Sequence, residues 1–175
     1  MHNERVDARN WGAMVERMSA AGRPIVVLLF VAAFVGCSAK ERVTLSANIR
    51  NVDLRVEEGT LGTFLAGGFD LRLALGANAP ESTTASLEAF RLVRASDRSE
   101  LVPTLLLTGA PAELDIAPGQ AQTVSLVLDA TDPISPDSQA GICAEPVQIT
   151  GAVTDTLSDA RTTPVESPAV DPSGC

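Results

Sequence analysis

The chain has 175 residues, with 13 Lys and Arg against 22 Asp and Glu, a formal net charge of −9, one His, one Trp and no Tyr. Nucleic-acid binding rests on clustered Lys and Arg against phosphate, and this acidic balance argues against it. A single histidine, His2, leaves no Ser-His-Asp or Cys-His arrangement over the bulk of the chain and no imidazole pair for zinc.

Met1 to Arg17 carries Glu4, Asp7 and Glu16, which are out of character in a basic export leader. Met18-Ser-Ala-Ala-Gly-Arg-Pro makes a cleaner start, so translation is expected to begin at Met18 or Met14. Ile25 to Val35 is an unbroken apolar run of eleven residues, followed by Gly36 and Cys37. A membrane-crossing helix needs about 20 apolar residues, whereas a shorter run behind Arg17 and Arg23 suits a cleaved export signal.

Phe34-Val35-Gly36-Cys37 resembles the bacterial lipobox, matching at Val35, Gly36 and Cys37 and departing at Phe34, where Leu is commoner. The resemblance implies a lipoprotein: cleavage before Cys37, diacylglycerol on its sulfur and a further acyl chain, such as palmitate, on its amino group. Residues 1–36 are then leader and signal peptide, and 37–41 the lipidated cysteine with a short tether. By the sorting rule of enterobacterial lipoproteins, Ser38 leans toward the outer membrane rather than the inner. His2 and Trp11 depart with the leader. From Ser38 onward 9 basic side chains stand against 19 acidic ones, so the acyl chains, not charge, must hold the membrane.

Residues 42–165 carry strand periodicity. Val43, Leu45, Ala47 and Ile49 alternate with polar neighbours, and the apolar parity then switches to Val52, Leu54 and Val56. That switch predicts a bulge, or a first strand shared between two sheets. Glu57 to Thr60 reads as a turn. Gly67-Gly68 opens a strand with Phe69, Leu71, Leu73 and Leu75 facing inward. In Thr83 to Ala95, Leu87, Phe90, Val93 and Arg94 fit one helical face. The β-branched Thr83, Thr84 and Val93 and the missing capping box favour a strand. Another strand is expected over Leu101 to Thr108.

Leu114-Asp-Ile116, Ala117-Pro118-Gly119-Gln120 and Val124-x-Leu126-x-Leu128 read as strand, type II turn, strand, since Pro fixes φ and Gly permits φ > 0. Asp129 to Gly141 reads as a polar loop. Val147 to Val153 and Arg161 to Val165 read as strands, with a turn at Leu157 to Ala160. Residues 166–175 are expected to be an irregular tail.

Seven to nine short strands spaced by turns predict an all-β, two-sheet antiparallel sandwich. The Pro-Gly turn before Val-x-Leu-x-Leu resembles the immunoglobulin-like accessory modules of bacterial exported proteins, over about Glu41 to Val165. With no core Trp and no tyrosine corner, an antibody-type domain is excluded.

Asp129, Asp132 and Asp137 put three carboxylates in one loop, and inter-strand loops of sandwiches supply calcium with hard oxygen ligands. Asp is equally a favoured turn residue in an acidic protein. With Cys37 lipidated, Cys143 and Cys175 remain in an oxidising compartment. They are expected either to pair with each other, pinning the tail, or to bridge two molecules.

The expected function is that of a lipid-anchored, non-catalytic module of the cell envelope. It would serve a protein partner by strand addition at an open edge or through loops at one end of the sandwich. A calcium-dependent adhesion or assembly module is the alternative, and a carboxylate-based hydrolase a remote one.

Overall fold

The computed structural model describes residues 45–109, 111–157 and 161–175; the leader, the apolar run, Cys37 and the tether lie outside them. The described chain forms strands β1 (Leu45–Gly59), β2 (Gly62–Leu75), β3 (Thr83–Arg94), β4 (Glu100–Val102), β5 (Leu107–Thr108), β6 (Leu114–Ile116) and β7 (Ala121–Leu128). Helix α1 (Pro136–Ala144) follows, then β8 (Val147–Asp155) and β9 (Thr162–Glu166). One sheet has the order β1-β2-β7-β5; the other has β4-β3-β8-β9, with β6 also paired to β3. Every pairing between these strands is antiparallel. This is the all-β, two-sheet antiparallel sandwich expected from the sequence.

Alternation builds the core. Leu45, Ile49, Leu71, Leu73 and Leu126 from the first sheet and Leu92, Val147, Ile149 and Val153 from the second are at most 2% exposed and belong to one cluster. Each such side chain contributes roughly 1.5–3 kcal/mol over leaving it in water.

The parity switch in β1 is a bulge. Arg50 pairs with Asp70 and Asp53 with Gly68, so Asn51 and Val52 together stand opposite Phe69. Asn51 takes φ 50°, a left-handed value Asn tolerates better than most residues. Gly67 faces this bulge at φ 119°, and a Cβ there would strike the Asp53 carbonyl. The second sheet carries a matching bulge. Glu88 pairs with Ala152 and Arg91 with Thr150, leaving Ala89 and Phe90 opposite Gly151, with Ala89 at φ 51°. A Cβ on Gly151 would lie 2.6 Å from the Phe90 ring. The two bulges present Phe69 and Phe90 to each other across the sandwich, ring centroids 5.5 Å apart and tilted by 41°.

Several expectations are corrected. β1 stays on β2 along its whole length and joins no second sheet, so its parity switch is a bulge alone. The hairpin turn is Thr60-Leu61, later than Glu57, and Gly67-Gly68 lies inside β2. Leu101 to Thr108 is not one strand: Pro103, which has no N–H to give a ladder, divides it into β4 in one sheet and β5 in the other. The expected loop before Cys143 contains α1. Ser135 caps it by accepting from the Ser138 N–H at 3.1 Å, and Pro136 starts the first turn. Thr83–Arg94 is a strand, and the Pro118-Gly119 turn stands as expected, closed by Gln120 N–H to Ala117 C=O at 3.0 Å with Gly119 at φ 75°. Of the expected turn at Leu157 to Ala160, residues 158–160 lie outside the described residues.

Candidate partner-binding surface

Strand β7 has β2 on one side from Ala121 to Val127. On its other side β5 pairs only with Val127 and Leu128, and then the chain turns off at Gly109, which has φ 77°. Among the described residues Ala121 to Leu126 therefore pair on one side only; Ala121, Gln122, Thr123 and Ser125 are exposed, with Gly109 passing beside the Ser125 carbonyl. Proteins guard such an edge with charge, proline or a bulge. Ala-Gln-Thr-Val-Ser-Leu-Val-Leu of β7 has none of these, and β5 and β7 are the two described strands without a charged residue.

The surroundings add apolar surface. Leu106 is 47% and Val127 52% exposed, two of three large apolar side chains so exposed among the described residues. Register places Val127 on the outer face of its sheet beside Thr108, with Leu106 one step further along the same face. Leu106 also lines a cleft of about 340 Å³ with Leu65, Leu101, Leu105, Leu128 and Ile134. The cleft opens because β2 and β7 part company beyond Gly68. Ile134 enters the gap, its N–H donating to Thr63 C=O at 2.8 Å. On the outer face, Asp70 accepts from Ser125 Oγ at 2.7 Å and from Asn51 Nδ2 at 2.8 Å. These bonds, Ser125 first, hold its carboxyl below the ordinary value of 3.8. They tie β1, β2 and β7 together behind the edge.

The opposite flank is sealed. β1 lies against β9, and the segment Ser167–Cys175, expected to be irregular, runs as a strap over the β1 edge. Val147 and Val170 exchange both backbone hydrogen bonds at 2.9 Å. Ser173 donates to Leu54 C=O at 3.0 Å and accepts from Val56 N–H at 2.9 Å. Gly174, at φ 79°, passes so close that a Cβ would meet the Val56 carbonyl. The strap thus bonds to both sheets. Its apolar content is too low for a strand pattern, and backbone pairing holds it instead. Cys143 in α1 and Cys175 form a disulfide within the chain, with Cα atoms 5.5 Å apart, as the first of the two expected pairings has it. Closing this ring contributes roughly 3.5–4 kcal/mol as an upper figure.

The three candidate calcium ligands are not gathered. Asp129, which accepts from Thr131 N–H at 3.2 Å, and Asp132 both line the cleft, but Asp137 sits apart from its lining, in the first turn of α1. Among the described residues no three His, Cys, Asp or Glu side chains group so as to hold a metal ion. Helix α1 is the physical reason, since it withdraws Asp137 from the loop. Asp155, a carboxylate only 2% exposed, accepts from Leu157 N–H at 2.9 Å in a turn. Leu106, Thr123 and Val127 escape a reading of the sequence because an edge is defined by strand order. The absence of charge from Ala121 to Leu128 is the signal available beforehand.

No protein-family model and no curated protein matches the chain. Among solved structures it is similar to the self-complemented MyfA, the major subunit of Myf fimbriae from Yersinia enterocolitica. In complex with galactose, that structure is 13% identical, with a TM-score of 0.39, over 73% of this chain and 98% of the other. A second structure of self-complemented MyfA is 12% identical, with a TM-score of 0.37, over 74% and 98%.

Proposed function

We propose that this chain is an exported, lipid-anchored, non-catalytic module of the cell envelope that binds a protein partner by strand addition at the β7 edge. The observation that carries the binding mode is the unguarded, charge-free stretch Ala121 to Ser125 with Leu106 and Val127 exposed beside it. Strand addition supplies affinity through backbone hydrogen bonds and specificity through alternate side chains. An edge without charge or proline is the kind that accepts it. The anchor rests on Val35-Gly36-Cys37 and its apolar run, and Ser38 favours the outer membrane.

Mass spectrometry of the mature N-terminal peptide tests the anchor. Acylated Cys37 is expected, and an unmodified Cys37 or a retained leader overturns it. Proximity labelling from the full chain in its host tests the surface. Leu106→Asp with Val127→Asp is expected to remove the main labelled neighbour while the protein stays folded, and unchanged labelling overturns the edge as the binding site.

A further inference from the structure

Resting on the reading above of a protein partner, we propose that the cleft beside Leu106 is a second point of attachment. It takes a segment of that partner in which large apolar side chains stand next to Lys or Arg.

The walls call for apolar side chains. Leu65, Leu101, Leu105 and Leu128, each at most 9% exposed, line the cleft of about 340 Å³ together with Ile134. That volume lies at the lower end of the roughly 300–1,000 Å³ of ligand sites, so it suits about one or two anchoring side chains. Apolar surface continues past the mouth. Leu106, itself 47% exposed, forms part of the lining. At the β1–β2 hairpin tip Leu61 is 84% exposed, and the next residue, Gly62, lies against Pro133 of the lining. Two of the three large apolar side chains exposed among the described residues thus border one cleft.

The rim calls for a cation. Asp129 and Asp132 both line the cleft, and no Lys or Arg does. Among the described residues neither carboxylate takes part in an ion pair. The N-terminal end of α1 borders the cleft at Ser135 and Ser138. Its partial positive charge is already answered by the Ser135 cap and by Asp137 in the first turn. An anionic lipid surface is therefore repelled here. A second copy of this chain, with 19 acidic side chains against 9 basic from Ser38 onward, matches this rim less well than a basic segment does. Position agrees with a partner met away from the tether. β1 begins at Leu45 and reaches Val56, the residue paired with Leu65, after about 30 Å. The cleft also takes in Leu106, two residues before Thr108, where the open stretch of β7 ends.

The test uses the full chain in nanodiscs of zwitterionic lipid, with empty nanodiscs as the blank and three labelled hexapeptides as probes. In the first, Leu and Phe alternate with Arg; in the second Glu replaces Arg; in the third Ser replaces Leu and Phe. The first is expected to bind saturably, roughly tenfold or more tightly than either control. Asp129→Asn with Asp132→Asn is expected to weaken it about threefold to tenfold and to flatten its salt dependence, at an unchanged thermal midpoint. Val127→Asp, beside the β7 edge but outside the cleft, is expected not to weaken it. No saturable binding at millimolar peptide, or equal binding of the Glu peptide, overturns the proposal. Binding lost in Val127→Asp but kept in the Asn pair puts the peptide on the β7 edge, which overturns the cleft and leaves the edge reading standing. Phenylbutylamine displacing the first peptide at equal concentration makes a small organic cation the occupant and overturns the partner segment.

Discussion

The two flanks of the sandwich solve the same problem in opposite ways. At the β1 flank the strap from Ser167 to Cys175 hydrogen-bonds to Leu54, Val56 and Val147, and a disulfide fixes its end. At the β7 flank β5 stops after two residues and, among the described residues, leaves six of the neighbouring strand's residues, Ala121 to Leu126, paired on one side. The sealed edge is also rich in charge, with Arg50, Asp53, Arg55, Glu57 and Glu58, whereas the open edge has none. Charge and covering are both devices against unwanted pairing. Their concentration on one flank and absence from the other teaches that the openness of β7 belongs to the design of the surface, since the fold has the means to close an edge.

Four substitutions break or sharpen this contrast. Phe90→Ala removes half of the ring pair between the two bulges and is expected to cost about 3–5 kcal/mol. Denaturant unfolding measures it, and hydrogen exchange should rise on both flanks alike. A loss under 1 kcal/mol would mean the ring pair does not join the sheets. Cys175→Ser is expected to cost up to roughly 4 kcal/mol, with faster exchange confined to the amides of Val56, Val147, Val170 and Ser173. Faster exchange in β7 as well would show that the flanks are not independent. Thr123→Glu changes an exposed side chain and is expected to shift stability by less than about 0.5 kcal/mol while altering association. A large drop in thermal midpoint would show that the edge is structurally occupied.

The smallest effect is a pH dependence. Asp70 has its folded pKa depressed by Ser125 and Asn51 below the ordinary 3.8. Its contribution is therefore fully present above that ordinary value and lost as pH falls through the depressed one. The difference in thermal midpoint between the parent and Asp70→Asn should be positive near neutrality and shrink as pH falls below 3.8. A difference that grows on acidification would reverse the assignment.

Much of the fold is legible in the sequence because alternation is local. Leu71, Leu73, Leu126 and Ile149 are inward by their own spacing. The bulge at Asn51 shows as a parity change. The one at Ala89 disguised β3, because a bulge turns an i, i+2 spacing into i, i+3 and makes Leu87 and Phe90 mimic a helix face. Helix α1 was hidden for a different reason: nine residues without an apolar stripe give no period to read, and only the Ser135-Pro136 start marks it. The strap and the open edge depend on which strand ends up beside which, a property no local pattern carries.

The bond between Ser173 and Leu54 joins residues 119 positions apart. The loop-closure entropy of such a pairing must be met before it adds stability. Sandwiches dominated by non-local pairing fold in milliseconds to seconds. Without the strap, Leu54 and Val56 would present an edge as open as the one that Ala121 to Leu126 keep.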